Sequence, residues 1–251
     1  MSGASLVSAV RARLARSVRS SLDCGFYVND GVLRTEIVLP NPAVGPLAAR
    51  LGSKLAVLTF HGPEGRVARR RAVVVRRGCT RVVDTSRLRG LPRFGQVRIR
   101  YVFAAGGARG GNRSIFHWYY PGGMTLVHEK KEPAPARGVP RGASLRPGQG
   151  YMTLFGIPED GPLDLYLVAL SQDWLEAPVR LVRFEAGGGR RESATVRVPP
   201  RGAQFVGVRQ WLAGSPGILP GPLAIDAAPY ALSYYYFVHN RADGTWQAQH
   251  L

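Results

Sequence analysis

Apolar and polar positions alternate along two stretches of the chain, and this pattern predicts β-strands in both. In the first stretch the predicted strands are 56–60, 71–77, 81–84 and 96–103. In the second they are 163–170, 179–184, 194–198, 204–208 and 230–239. These segments are short, rich in β-branched or aromatic residues, and bounded by Gly, Pro or Asp. The pattern therefore predicts an all-β protein.

The N-terminus has a different period. Leu6, Val10, Leu14 and Val18 recur every four residues, and arginines are the charged residues between them. This spacing predicts a short basic amphipathic helix within residues 1–21, over about 4–21. Such a helix can fold back on its own domain, dock on a partner, lie on a membrane surface as a peripheral contact, or act as a transit peptide.

A compositional boundary divides the chain. Residues 131–150 are rich in Pro, Gly and Arg and have almost no large apolar side chains, which is typical of a linker. The flanking segments, 22–130 and 151–251, are each near the size of a small β-sandwich domain.

The two flanking segments resemble each other. Residues 54–90 align without a gap with residues 178–214, at a constant offset of 124. Both turns and the strand phase agree, which predicts a tandem duplication. We therefore expect two immunoglobulin-like β-sandwich domains after a short basic helix, although the Cys…Trp…Cys spacing of true immunoglobulin domains is missing. The matched pairs include Phe60 with Phe184, Gly65 with Gly189, Leu55 with Val179, Val74 with Val198, and Arg77-Gly78 with Arg201-Gly202.

The charge is concentrated in the first half. The chain has 34 basic and 16 acidic residues, and residues 1–125 hold 21 of the basic and 5 of the acidic ones. This asymmetry favours an anionic partner, which could be an acidic protein, a nucleic acid or an anionic membrane surface. Only three basic residues are lysine, so arginine-rich coding is the competing explanation. The candidate contact residues are Arg66, Arg69, Arg71, Arg76 and Arg81.

Four of the five histidines occupy matching places, since His117 and His128 precede His239 and His250 by 122 residues. A two-residue turn at Gly122-Gly123 would place His117 directly opposite His128. In the second copy, a Gly244-Thr245 turn gives the same pairing, whereas an Asp243-Gly244 turn would oppose His239 to Ala248. Paired imidazoles could bind zinc or iron, but one hairpin supplies two ligands where a stable site needs three or four. Cross-strand packing is the alternative interpretation.

Catalytic motifs are missing from the sequence. It contains no GxSxG, no HExxH and no closely spaced acid pair, and its two cysteines form no CxxC. It also lacks an apolar run of about 18 residues and a secretory leader pattern. We therefore expect a cytoplasmic, non-enzymatic binding or scaffolding protein without a cofactor, able to form a homo-oligomer. The alternative is a metal-binding protein or metal-dependent enzyme that uses the histidine pairs.

Overall fold

The computed structural model describes residues 20–41, 52–103, 114–128, 130–131, 151–154, 161–171, 176–184, 190–208, 223–226 and 232–250. Most of these residues are in β-strands, and every strand pair is antiparallel, which confirms the all-β prediction. Most of the predicted helix and linker, residues 4–19 and 132–150, lies outside the described residues. Ser20 and Ser21 belong to the first strand, and Lys131 belongs to a two-residue strand. No helix in the described ranges is long and apolar enough to cross a membrane.

The described residues of the first half form nine strands in two sheets. Sheet A has the order β4-β3-β6-β1-β9, and sheet B has the order β5-β2-β7-β8. The strands are β1 (Ser20–Val28), β2 (Arg34–Asn41), β3 (Lys54–His61), β4 (Val67–Val75), β5 (Cys79–Asp84), β6 (Phe94–Phe103), β7 (Ile115–Tyr120), β8 (Gly123–His128) and β9 (Lys130–Lys131).

In the second half, the part of the chain that the structure describes forms eight strands, also in two sheets. Sheet C has the order β13-β12-β15-β10, and sheet D has the order β14-β11-β16-β17. The strands are β10 (Tyr151–Leu154), β11 (Leu163–Ser171), β12 (Ala177–Phe184), β13 (Arg190–Val198), β14 (Ala203–Gly207), β15 (Leu223–Asp226), β16 (Leu232–Asn240) and β17 (Trp246–His250). When β10–β17 are matched in order with β1–β8, sheet D has the strand order of sheet B, and sheet C has that of sheet A without β9.

The gap-free alignment is wrong by one residue in the first hairpin of the matched region. Strands β3 and β4 are joined by residues 62–66, and β12 and β13 by residues 185–189, so the strand ends correspond at an offset of 123. Val75 and Val198 are both fully buried, whereas Val74, the alignment's partner for Val198, is 57% exposed. Because successive side chains of a strand point to opposite faces, a shift of one residue exchanges the buried and exposed faces. Val198 therefore corresponds to Val75.

Sheets A and B pack face to face around a buried core. On β6, Val97, Ile99 and Tyr101 are fully buried on one face of the strand. The Tyr101 hydroxyl lies 2.6 Å from Ser114 Oγ, and Ser114 donates from N and Oγ to Asp23 Oδ2 at 3.3 and 3.0 Å. These bonds satisfy polar groups that would otherwise be costly to bury.

The buried core continues from the first half into sheet D of the second half. Phe26 on β1 contacts Phe205 on β14, with ring centroids 5.4 Å apart. Trp118 on β7 contacts Phe237 on β16 edge-on at 5.0 Å. The Tyr235 hydroxyl donates to the Cys24 carbonyl oxygen at 3.3 Å. The two halves are therefore joined by packed aromatic side chains as well as by the covalent chain.

Candidate anion-binding site

The five arginines proposed from the sequence lie along one edge of the first half. Arg69 and Arg71 are on β4, Arg81 is on β5, and all three are exposed. Strands β4 and β5 are the edge strands of sheets A and B, and they contact each other. Arg66 precedes β4 and Arg76 follows it, so the set extends over about 30 Å of strand. We call these five residues the edge arginines.

The edge arginines are largely free of neutralising carboxylates. Arg69 Nη1 donates to the Arg89 carbonyl oxygen at 2.6 Å. Within the described ranges, no carboxylate lies within ion-pair distance of any edge arginine. Charged side chains also protect an unpaired sheet edge from aggregation, and that structural role fits the same positions.

A second arginine group, which the sequence analysis missed, lines a cleft on the outer face of sheet A. The cleft has a volume of about 560 Å³. Its arginines come from β4, from β6 and from the turn before β14, and we call it the arginine cleft. The lining residues are Val57, Thr59, His61, Val67, Arg70, Arg98, Arg100, Val102 and Arg201. No carboxylate belongs to this lining among the described residues.

Strand alternation explains why three of these arginines share one face. Because Val97, Ile99 and Tyr101 point into the core, Arg98 and Arg100 between them point outward. The register places Thr59 of β3 between Arg98 of β6 and Arg70 of β4. The alternation within 96–103 was visible in the sequence, but the pairing of this strand with β3 was not.

The fourth arginine, Arg201, comes from the second half of the chain. It lies in the turn Pro199–Gly202, in which the Gly202 N–H donates to the Pro199 carbonyl oxygen at 2.8 Å. Its φ of 55° is left-handed, as required at the third position of a type II turn, where glycine or asparagine is usual. The sequence alone could not show that this turn reaches sheet A.

Contacts with the β3–β4 turn hold the Arg201 turn against the first half. The Ala203 N–H donates to the Pro63 carbonyl oxygen at 3.1 Å. Gly65 approaches the Pro200 carbonyl oxygen so closely that a Cβ would not fit. In the amide orientation that satisfies both carbonyls, Gln96 Nε2 donates to Ser171 O at 2.9 Å and to Arg201 O at 3.2 Å.

The electrostatics of the cleft disfavour further positive charge. Burial, and secondarily the charge of Arg98, lower the pKa of Arg201 to about 10, and burial also lowers the pKa of Arg98. His61 is buried, and its Nδ1 donates to the Gly65 carbonyl oxygen at 2.9 Å. Burial lowers the pKa of His61, as do Arg98, Arg201 and Arg70, although the Gly65 carbonyl opposes the shift. The arginines remain charged at neutral pH, so an anion in the cleft would offset their mutual repulsion.

The predicted register of the first histidine hairpin is wrong. Tyr120 pairs with Gly123, which makes Pro121-Gly122 the two-residue loop, and His117 pairs with Leu126. Gly122 has a φ of 88°. Proline fits the second position of a type II turn and glycine the third, so Pro121-Gly122 is preferred over Gly122-Gly123. His128 therefore lies two residues along β8 from Leu126, the residue opposite His117.

The predicted register of the second hairpin is also wrong. His239 pairs with Trp246 and His250 with Tyr235, around a four-residue loop. Asn240 Oδ1 accepts from the Ala242 N–H, and Asp243 Oδ1 accepts from the Thr245 N–H, which stabilises the longer loop. The His239 ring stacks on Trp246 at 4.3 Å. His250 thus lies about 13 Å along the strand from the position opposite His239.

The metal hypothesis gains no geometric support. No group of three or more His, Cys, Asp or Glu side chains that could hold a metal occurs in the part of the chain with described side chains. His117 neighbours Glu36 on β2, and burial lowers its pKa. The side chains of His128 and His250 lie outside the description, so a zinc or iron site at the four histidines stays a prediction.

Comparison of the sequence with protein-family models gives no match, and comparison with curated protein sequences gives none either.

Proposed function

We propose that this chain is a non-enzymatic binding or scaffolding protein whose first half engages an anionic partner. The observation that carries the proposal is the line of exposed edge arginines on β4, β5 and the adjoining turns. Within residues 52–103, thirteen basic residues stand against two acidic ones, so the surrounding surface adds to their positive field. The partner classes compatible with this charge are nucleic acid, an acidic protein and an anionic membrane surface.

The spacing of the edge arginines supports an extended anion. A set that extends over about 30 Å fits repeated charges along a partner better than one compact ion. One guanidinium can donate two parallel hydrogen bonds to the oxygens of a phosphate or a carboxylate, which favours arginine over lysine at such contacts.

We further infer that the two halves are tandem copies of one β-sandwich with an immunoglobulin-like strand count. Sheets B and D share one strand order, and sheets A and C share another apart from the extra strand β9, which supports this inference. Duplicated domains with equivalent surfaces suit a scaffold, because each copy can present its own edge. The cytoplasmic location, the N-terminal helix and homo-oligomerisation stay predictions.

A salt titration tests the anionic partner. The full chain is titrated into a labelled 20-base-pair DNA duplex, used as a polyanion probe, at several salt concentrations. We expect binding that weakens steeply with salt, because each arginine–phosphate contact releases counterions. The slope of log K against log salt is negative, and the double variant Arg71→Gln/Arg81→Gln should make it shallower by roughly 2, since each lost contact contributes about 0.9 to its magnitude.

The matched control is Arg197→Gln/Arg241→Gln, which removes two exposed arginines from the second half. Both double variants change the net charge equally, so a general charge effect would alter their slopes equally. Equal slopes in the two variants, or no binding of the wild type to DNA at low salt, would show that the edge arginines do not form a polyanion site. Each variant's unfolding midpoint in urea is measured first, to verify that it is folded.

A further inference from the structure

We propose that the arginine cleft binds a small organic molecule bearing two phosphate groups. The cleft lies on the outer face of sheet A, and none of its arginines is an edge arginine. This proposal therefore goes beyond the engagement of a polyanionic partner and does not depend on it.

The number and placement of the guanidiniums favour two phosphate groups over one. Arg70, Arg98 and Arg100 come from adjacent strands of sheet A, and Arg201 joins them from the second half. Arg70 and Arg98 lie on strands separated by β3, so their backbones are about 9.5 Å apart and two phosphate groups suit the two sides of the cleft better than one compact anion. Bidentate N–H···O pairs are the contacts that arginine forms with phosphate.

The size and walls of the cleft favour a small organic ligand. Its volume of about 560 Å³ lies within the range of roughly 300–1,000 Å³ that small-molecule sites occupy. Val57, Val67 and Val102 supply apolar surface beside the arginines, which suits the carbon skeleton of a phosphorylated compound. Arg98 and Arg201 are only partly exposed, so their interaction with an anion is screened less than at the open edge.

The turn that presents Arg201 gives an independent indication of function. In the first half, the corresponding turn has Gly78 at a φ of 73°, and the next N–H, from Cys79, donates to the Arg76 carbonyl oxygen. In the second half, Arg201 occupies that left-handed position at a φ of 55°. A left-handed backbone is unfavourable for an L side chain, and such strain concentrates at functional sites. Of these two turns, only the one at Arg201 contributes a guanidinium to the lining of the cleft.

Isothermal titration calorimetry of the full chain tests the site. Sodium pyrophosphate is the first probe, and inorganic phosphate and citrate are the comparison anions, all in low-salt HEPES buffer. We expect one pyrophosphate per chain, bound at least tenfold more tightly than phosphate or citrate. Arg201→Gly should weaken pyrophosphate at least tenfold while keeping or raising the unfolding midpoint in urea, because glycine accepts the left-handed turn. Arg197→Gln, the matched control in the second half, should bind pyrophosphate like the wild type.

Pyrophosphate binding that is unchanged in Arg201→Gly, or no tighter than citrate binding, would overturn the proposal. ADP and vesicles carrying a bisphosphorylated lipid headgroup then distinguish the source of the phosphates. Arg201-dependent binding of ADP supports a soluble ligand, and Arg201-dependent retention on the vesicles supports a headgroup. Binding of neither would contradict an organic ligand.

The polyanion proposal and the arginine-cleft proposal are tested by different variants, so either can be contradicted without the other. Arg71→Gln/Arg81→Gln should leave pyrophosphate affinity unchanged, because both residues lie outside the cleft. Arg201→Gly should leave the salt slope of DNA binding unchanged. A single anion surface would instead make each variant impair both ligands.

Discussion

The arginines of this chain differ in their burial, in the charges near them and in their backbone conformation. Arg71 and Arg81 are exposed on edge strands, where solvent screens their charge. Arg98 is partly buried beneath a cleft, and its neighbour Arg100 contributes to lowering its pKa. Arg201 combines burial, the repulsion of Arg98 and a left-handed backbone. These three conditions set Arg201 apart from the arginines on the exposed edge strands.

His61 provides the pH prediction at the residue scale. Its pKa in the folded protein is lowered by burial and by Arg98, Arg201 and Arg70, so the unfolded chain, with a pKa near 6.5, takes up the proton first. Stability should therefore fall as the pH drops below about 6.5, until the folded-state pKa is passed. We expect His61→Gln to lose less unfolding free energy between pH 7.5 and 5.5 than the wild type does. Urea denaturation at both pH values measures this difference.

His117→Gln is the comparison variant, because burial lowers the pKa of His117 as well, while Glu36 opposes the shift. It should remove its own share of the pH dependence and leave that of His61 in place. A wild-type-like pH dependence in His61→Gln would mean that His61 is protonated equally in the folded and unfolded chains. The measurements use buffers without phosphate, to keep the cleft empty.

The sequence indicated an arginine-rich binding surface but did not identify the cleft. Arg98 and Arg100 alternate with core residues, so their shared face could be read from the sequence. Their proximity to Arg70 depends on the order β4-β3-β6, which sequence separation hides. The contribution of Arg201 depends on contacts between Ala203 and Pro63, which are 140 residues apart. Contacts between residues so far apart leave no local pattern in the sequence from which the cleft could be predicted.

At the scale of elements, turn chemistry determines which side chains face each other. The Pro121-Gly122 loop sets the register of β7 and β8, and the four-residue loop 241–244 sets that of β16 and β17. Alternation predicted β3, β6 and β11, but it missed β2, although burial alternates along Arg34–Asn41. It failed for β1, since Cys24, Phe26 and Val28 are buried on one face and Asp23 and Tyr27 on the other. A strand that is buried on both faces does not alternate between apolar and polar residues, so its sequence lacks the pattern used here.

Disulfide trapping tests the register of β7 and β8. His117 and Leu126 are a non-hydrogen-bonded pair, since the hydrogen-bonded and open pairs alternate outward from Tyr120 and Gly123. Their Cα atoms should lie about 4.5 Å apart, within the range that a disulfide spans. We expect His117→Cys/Leu126→Cys to oxidise readily in a background with Cys79→Ser, as measured by the loss of free thiol.

His117→Cys/His128→Cys is the matched pair for this experiment. These positions are diagonal neighbours in the register, about 7–8 Å apart, which is beyond the usual disulfide range. Faster or more complete oxidation of the diagonal pair would restore the Gly122-Gly123 turn and the direct opposition of the histidines. Cys24 is buried and stays in both backgrounds.

At the scale of the whole molecule, the two halves form one buried core. Phe26, Phe94 and Trp118 from the first half contact Phe205, Tyr235 and Phe237 from the second. The sequence predicted two domains separated by a linker. A linker does not indicate whether the domains on its two sides pack against each other. Aromatic residues at alternating strand positions indicated a core, but not that sheet D would share it with β1 and β7. Arg201 reaches the arginine cleft only because of this packing, since the other lining residues belong to the first half.

Shared packing predicts that a change in one half destabilises the other. Phe237→Leu replaces a fully buried ring that contacts Phe26 and Trp118 with a smaller side chain, and the lost contacts and the cavity left behind should cost about 1–3 kcal/mol. We expect faster amide hydrogen exchange in both β3 and β11, because a cooperative core unfolds as a unit. Leu126→Ala, at an exposed position of β8, should change the unfolding free energy by less than about 0.5 kcal/mol. Faster exchange confined to β11, with β3 unaffected, would show that the halves fold independently, and would also leave Arg201 without a rigid support beside sheet A.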